Sequence, residues 1–175
     1  MVTGRKMAGL LLGAVGGAIA LLLTFTHPSL AQAVIRYPIP NSSFPIALAV
    51  ELPANASLVY VSGQVPPVVD ATAPEQTIAA FGDTKTQTVG VLERIQSILE
   101  GLELTLGDVV KMQVFLVGDP ALEGQMDFAG FMAGYSQFFG TADQPNLPAR
   151  STLQVAGLVN AGWLVEIEVA AARLN

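Results

Sequence analysis

Cysteine is absent from all 175 residues, histidine occurs once, at His27, and charged residues make up only 13% of the chain. Without cysteine no disulfide can form, so stability has to come from packing or self-association even in an oxidising compartment. The single histidine lies in a segment that does not belong to the fold. Arg5 and Lys6 give a positive start, Met7–Phe25 is uncharged and rich in Leu, Ala and Gly, and Ser29–Ala33 offers small residues in an A-x-A pattern. These are the three parts of a secretory signal cleaved after Ala33. The alternative is an uncleaved anchor, because about 20 apolar residues span a bilayer. Either reading predicts an exported domain, periplasmic or secreted, that meets a membrane only through residues 1–33 and only if they stay uncleaved.

Cleavage leaves 142 residues with neither His nor Cys, enough for one domain with a real core. Such a domain has no Ser-His-Asp triad, no thiolate nucleophile and no typical zinc site. Charge narrows the partners further. Six cations (Arg36, Lys85, Arg94, Lys111, Arg150 and Arg173) face fourteen acidic residues, leaving a formal charge of −8. A surface of that sign repels phosphate backbones, so nucleic acid is not expected as a partner.

Half of the chain is apolar, and the apolar residues are patterned. Residues 34–44, rich in proline and short polar residues, read as an extended lead-in to a domain over 45–175. Ile46–Leu52 and Leu58–Gln64 read as strands, separated by the turn residues Pro53–Ala56. From Asp83 or Thr84 a helix is expected, with Val89, Leu92, Ile95, Ile98 and Leu99 on its inner face and Gly101 as the C-cap. Val109–Val117 alternates as a half-buried strand. A second helix is expected over Gln125–Phe139, followed by the strands Arg150–Ala156 and Trp163–Ala171. In the last of these, Trp163, Val165, Ile167 and Val169 line one face, and Leu164, Glu166, Glu168 and Ala170 the other. The predicted fold class is α+β, a two-layer sandwich with two helices on one face of a mixed sheet. The other face is too apolar to stay wet, which points to self-association.

Several segments together resemble the RidA/YjgF superfamily. They are Tyr60–Pro66 (YVSGQVP), Ile98–Leu102, Gly107–Lys111, Tyr135–Phe139 (YSQFF), Pro148–Thr152 (PARST) and Val165–Ala170 (VEIEVA). The resemblance implies a chorismate-mutase-like or RidA-like fold assembling as a homotrimer, with a small-molecule cleft at each subunit interface. It also implies hydrolysis of 2-imino or enamine acids to 2-oxo acids and ammonia, with no metal or organic cofactor.

On the same resemblance Arg150 matches the arginine that holds the substrate carboxylate, a task suited to the planar guanidinium fork. Its bland alternative is a structural ion pair. Glu166 matches the glutamate associated with the attacking water, and a carboxylate can orient water and pass protons during imine hydrolysis. Ser62, Gly63 and Thr152 match substrate-binding positions, and Thr152 stands where many relatives carry cysteine. Met132 occupies the place of an asparagine, and Ile46 that of a tyrosine after the first proline, so the pocket is expected to be greasier than usual. Two functions follow: an imine deaminase using Arg150 and Glu166, or a non-catalytic trimer that binds a small carboxylate metabolite. A chaperone-like trimer working through apolar surface fits the composition but has no motif behind it.

Overall fold

Alternation governs the centre of the sheet. In Val109–Asp119 (β4) the side chains of Met112, Val114 and Leu116 are fully buried, whereas Lys111 is exposed and Gln113 and Phe115 are half-buried. The two-residue period of an extended chain thus sends one side toward a helix layer and leaves the other open. The computed structural model describes residues 33–175, so the expected signal or anchor lies outside the described residues, except for Ala33.

Around β4 the chain supplies the strands Ile35–Pro38 (β1), Ala47–Glu51 (β2), Ala56–Gln64 (β3), Gln125–Met126 (β5), Ala149–Val155 (β6) and Val165–Leu174 (β7). The helices are Ile78–Phe81 (α1), Thr84–Gly101 (α2) and Phe128–Tyr135 (α3). The strand order is β1-β2-β6-β4-β7-β3, with β5 paired to the end of β4. β6 runs parallel to β4 and β2, while β7 runs antiparallel to β4 and β3. A parallel pair cannot be joined by a tight turn, and α3 lies in the crossover that links β4 to β6. Residues of α2, α3 and the inward side of the sheet form one core cluster. This is the expected α+β sandwich.

Helix α2 starts where Asp83 accepts a hydrogen bond from the Thr86 amide at 2.8 Å, satisfying a donor the helix cannot. Its Val91, Leu92, Ile95 and Leu99 are fully buried, each contributing about 1.5–3 kcal/mol relative to exposure. The buried Gln87 amide ties the helix to the approach of β7. It donates to the carbonyls of Gly82 (2.8 Å) and Gly162 (2.9 Å) and accepts from the Leu164 amide at 2.7 Å.

Several expectations are corrected. Gly101 closes the last helical turn, but the left-handed residue that reverses the chain is Glu103, at φ 58°. The second helix is shorter than its apolar pattern. Asp127 caps it by accepting from the Gly130 amide at 2.8 Å, and Gln125–Met126 instead pair with Gly118–Asp119. Leu164 does not share the open face with Glu166; it precedes the strand and is buried in the core. The lead-in is extended, but it also belongs to the sheet, since Ile35–Pro38 pairs antiparallel with β2. Arg36 fixes it there by donating to the carbonyls of Val109 (2.9 Å), Leu147 (2.7 Å) and Gly107 (2.8 Å). The sheet therefore extends into the lead-in ahead of the domain start at residue 45.

Candidate active site

The rigid strand β6 carries Arg150 and Thr152. Both register with inward residues of β4, Arg150 with Met112 and Thr152 with Val114, so both face the helix layer. There the guanidinium meets rings. Its Cζ lies 4.3 Å from the ring centre of Tyr135, 4.9 Å from Phe131 and 5.5 Å from Phe44. Phe131 and Tyr135 are one turn apart on α3 and fully buried, and Phe44 stacks on Phe128 at 6.4 Å. Cation–π contacts of this kind contribute roughly 0.5–2 kcal/mol each.

The hydrogen bonds of this arginine are poor. Nη2 donates to the Met132 thioether at 3.3 Å, and Nη1 is buried without a partner. Thioether sulfur is a weak acceptor. Among the described residues no carboxylate pairs with Arg150. Burial pushes its pKa down, with only Tyr135 acting against the shift. Tyr135, in turn, is raised by burial to about 12 despite the nearby positive charge, and its hydroxyl donates to the Pro45 carbonyl at 2.9 Å. Thr152 adds a second orphan, because its Oγ1 is buried and unpartnered. A buried donor left unmade costs about 1–3 kcal/mol, more for a charged group. The region is thus prepared for a strong acceptor, and a carboxylate meets a guanidinium fork with two charge-assisted bonds.

Glu166 has different surroundings. It registers with Phe115 on β4 and so lies on the open face. β3 is irregular between Val61 and Gln64, opposite Val169 and Ile167 of β7. Ser62 and Gly63 occupy that irregularity, with Ser62 exposed. A Cβ on Gly63 would fall 2.0 Å from Glu166 Oε1, so the carboxylate rests directly against the glycine backbone. That close approach is what requires glycine here.

The predicted site residues therefore divide into two groups. Arg150, Met132 and Thr152 gather on the helix side of β6, and Ser62, Gly63 and Glu166 gather on the open side of β7 and β3. Along β4 the two groups are offset from Met112 to Phe115, roughly 10 Å at about 3.3 Å per residue, and they lie two strand spacings apart, about 10 Å more. One small molecule cannot reach both within one chain. Ile46 lines a separate cleft with Arg36 and Tyr37, so the apolar wall over Arg150 comes from Phe44, which sequence reasoning missed. Among the described residues no group of three or more His, Cys, Asp or Glu is placed to hold a metal ion.

Comparison with known proteins identifies the family and the fold. The family model described as endoribonuclease L-PSP matches residues 45–173. The chain is 37% identical over 117 residues to the 2-iminobutanoate/2-iminopropanoate deaminase of Salmonella typhimurium, covering 67% of this chain and 80% of that one. It is similar to the solved YjgF gene product of E. coli, with 32% identity, a TM-score of 0.51 and coverage of 77% of this chain and 92% of that one. E. coli TdcF with bound serine gives 31% identity and a TM-score of 0.52, covering 81% and 98%. With the match running from the residue after Phe44 through both strands that carry Arg150 and Glu166, the chain belongs to the RidA/YjgF family, whose members include 2-imino acid deaminases.

Proposed function

We propose that this protein hydrolyses 2-imino or enamine acids to 2-oxo acids and ammonia, with Arg150 as the carboxylate anchor and Glu166 serving the water. The observation that carries the reading is the buried guanidinium of Arg150, which has rings and a thioether around it and no acid. An anion from outside the chain supplies the missing partner. Water then adds to C2 of the protonated imine while the Glu166 carboxylate accepts its proton. The proton passes to nitrogen, the carboxylate takes the new hydroxyl's proton as C2=O forms and the C2–N bond breaks, and ammonia leaves with that proton as ammonium. Phe44, Phe131 and Met132 favour substrates with an apolar side chain.

The division of the site into two distant groups supports completion by a second copy, in a homotrimer whose clefts lie between subunits. The open face fits such an assembly. Leu48, Leu58, Tyr60 and Leu153 are exposed, with Tyr60 at 77%, and an apolar patch of that kind marks an interaction surface. The pattern of residues 1–33 supports placing the activity in an extracytoplasmic compartment. The acidic balance of the chain argues against RNA as a substrate.

The test uses the purified chain and 2-imino acids generated by an amino-acid oxidase, with the surviving imine trapped by semicarbazide. Wild type should lower trapping, and Arg150→Ala should cut kcat/KM by at least about a hundredfold, the size expected for losing a buried charged anchor. No acceleration with small or bulky apolar substrates would overturn the enzyme. The second reading, a carboxylate-binding trimer, is favoured by Met132 standing in place of a hydrogen-bonding amide, and it would then be tested with 2-oxo acids as ligands.

A further inference from the structure

We infer that Met132 is a redox-modification site, and that its oxidation to the sulfoxide closes the Arg150 anchor to carboxylates. The inference rests on the carboxylate reading of Arg150 and adds a regulation of that same site.

The argument begins with what the guanidinium lacks. Nη1 has no acceptor, and Nη2 has only a thioether sulfur, 3.3 Å away. Two N–H-bearing nitrogens of a buried cation are therefore short of acceptors, and the atom already touching one of them is oxidisable. Access differs among the described methionines. Met112 is fully buried beneath Arg150 in the core, whereas Met132 and Met126 are half-buried. Met132 alone among these three accepts a hydrogen bond from a cation.

The chemistry needs an oxidant such as hydrogen peroxide. A sulfur lone pair attacks one peroxide oxygen, the S–O bond forms and the O–O bond breaks. The departing oxygen leaves as water after proton transfer. Sulfur loses two electrons, and peroxide gains them. The product is polar, and its S–O oxygen is a far stronger acceptor than the thioether. Because the sulfur already rests on Nη2, that oxygen is delivered to the donor a carboxylate needs for a two-point grip. Sulfoxide and ligand then compete for one guanidinium. A thioether, by contrast, gives way easily, having little hydrogen bonding to lose and three flexible bonds to swing on. Reduction of the sulfoxide by a methionine sulfoxide reductase reopens the anchor.

The test uses the full chain with 2-oxobutanoate as the probe, and its affinity is measured by calorimetry before and after peroxide. Peptide mass spectrometry locates the gain of about 16 Da. Loss of one charge-assisted bond should weaken binding about tenfold or more, in proportion to oxidation at Met132, and reductase should restore it. Peroxide should leave the affinity of a Met132→Leu chain where it began, whatever that affinity is. An independent readout is the Arg150 side-chain N–H resonances, which should shift and exchange more slowly in the oxidised, ligand-free chain. Oxidation at Met132 with unchanged affinity and unchanged Arg150 resonances overturns the inference, as does an equal loss in the Leu variant. If the untreated chain binds neither 2-oxobutanoate nor bulkier 2-oxo acids, the carboxylate reading itself fails and the competition fails with it. The Arg150 resonances still show in that case whether the sulfoxide bonds the guanidinium.

Discussion

Arg150 and Glu166 stand on the two strands that flank β4, yet their surroundings have little in common. Arg150 is enclosed by Phe44, Phe131 and Tyr135 and lacks good acceptors. Glu166 lies on the open face against the bare backbone of Gly63. The first is held by packing in low dielectric, where a charge interacts strongly and cannot drift. The second is only half-buried and keeps access to water. A group that grips an anion benefits from rigidity and dehydration, whereas a group that handles a proton has to meet a water molecule. On the roles proposed above, each residue stands on the sheet face suited to it.

The largest expected effect separates the two groups outright. Arg150→Ala and Glu166→Ala chains should each be inactive alone. Mixed by unfolding and refolding together, they should recover about a quarter of wild-type activity if each cleft takes Arg150 from one copy and Glu166 from the next. No recovery in trimers shown to be mixed would rule out the shared cleft.

Next comes the pair Gly63→Ala and Tyr135→Phe. The first methyl strikes the far end of the Glu166 side chain, so the carboxylate should swing aside at little structural cost. Turnover should fall about tenfold with the thermal midpoint nearly unchanged. Tyr135→Phe removes the bond to the Pro45 carbonyl and should cost about 1 kcal/mol in denaturant titration. An unstable Gly63→Ala chain would show that both environments are rigid.

The last effect is confined to the extremes of pH. Tyr135 holds its proton to about 12 in the fold against an ordinary 10.0, so the unfolded chain deprotonates first. That contribution is complete below about pH 10 and is lost as pH rises toward 12, amounting to roughly 2–3 kcal/mol. Tyr135→Phe should flatten the alkaline limb of a stability–pH curve. Asp83 has the opposite sign. Its bonds to Thr86 lower its pKa, so its contribution is present at neutral pH and fades in acid.

Local patterns made much of this legible. The spacing of Leu92, Ile95 and Leu99 and the alternation of Met112, Val114 and Leu116 marked a buried helix face and a half-buried strand. Motif resemblance picked out Arg150 and Glu166. That the two face opposite ways depends on register between strands, which no single strand encodes. Phe44 carries no local signal, because its contact with Arg150 joins distant parts of the chain, and an aromatic residue after two serines looks like a loop residue. Apolar content overstated α3, since Gln125 and Met126 found a strand partner before the Asp127 cap. Extending the alternation of β7 past its end puts Leu164 on the open face, whereas it is buried in the core.

The Arg36 staple sets an order of events during folding. Its three acceptors, Gly107, Val109 and Leu147, lie 71 to 111 residues downstream. Synthesis delivers Arg36 first and Leu147 near the end, so β1 has no complete receptor until most of the domain has emerged. Contacts this far apart close late, because the loop between them must be ordered first. β1, the first strand among the described residues, is thus among the last to be secured, and its arrival locks the loop that leads into Arg150.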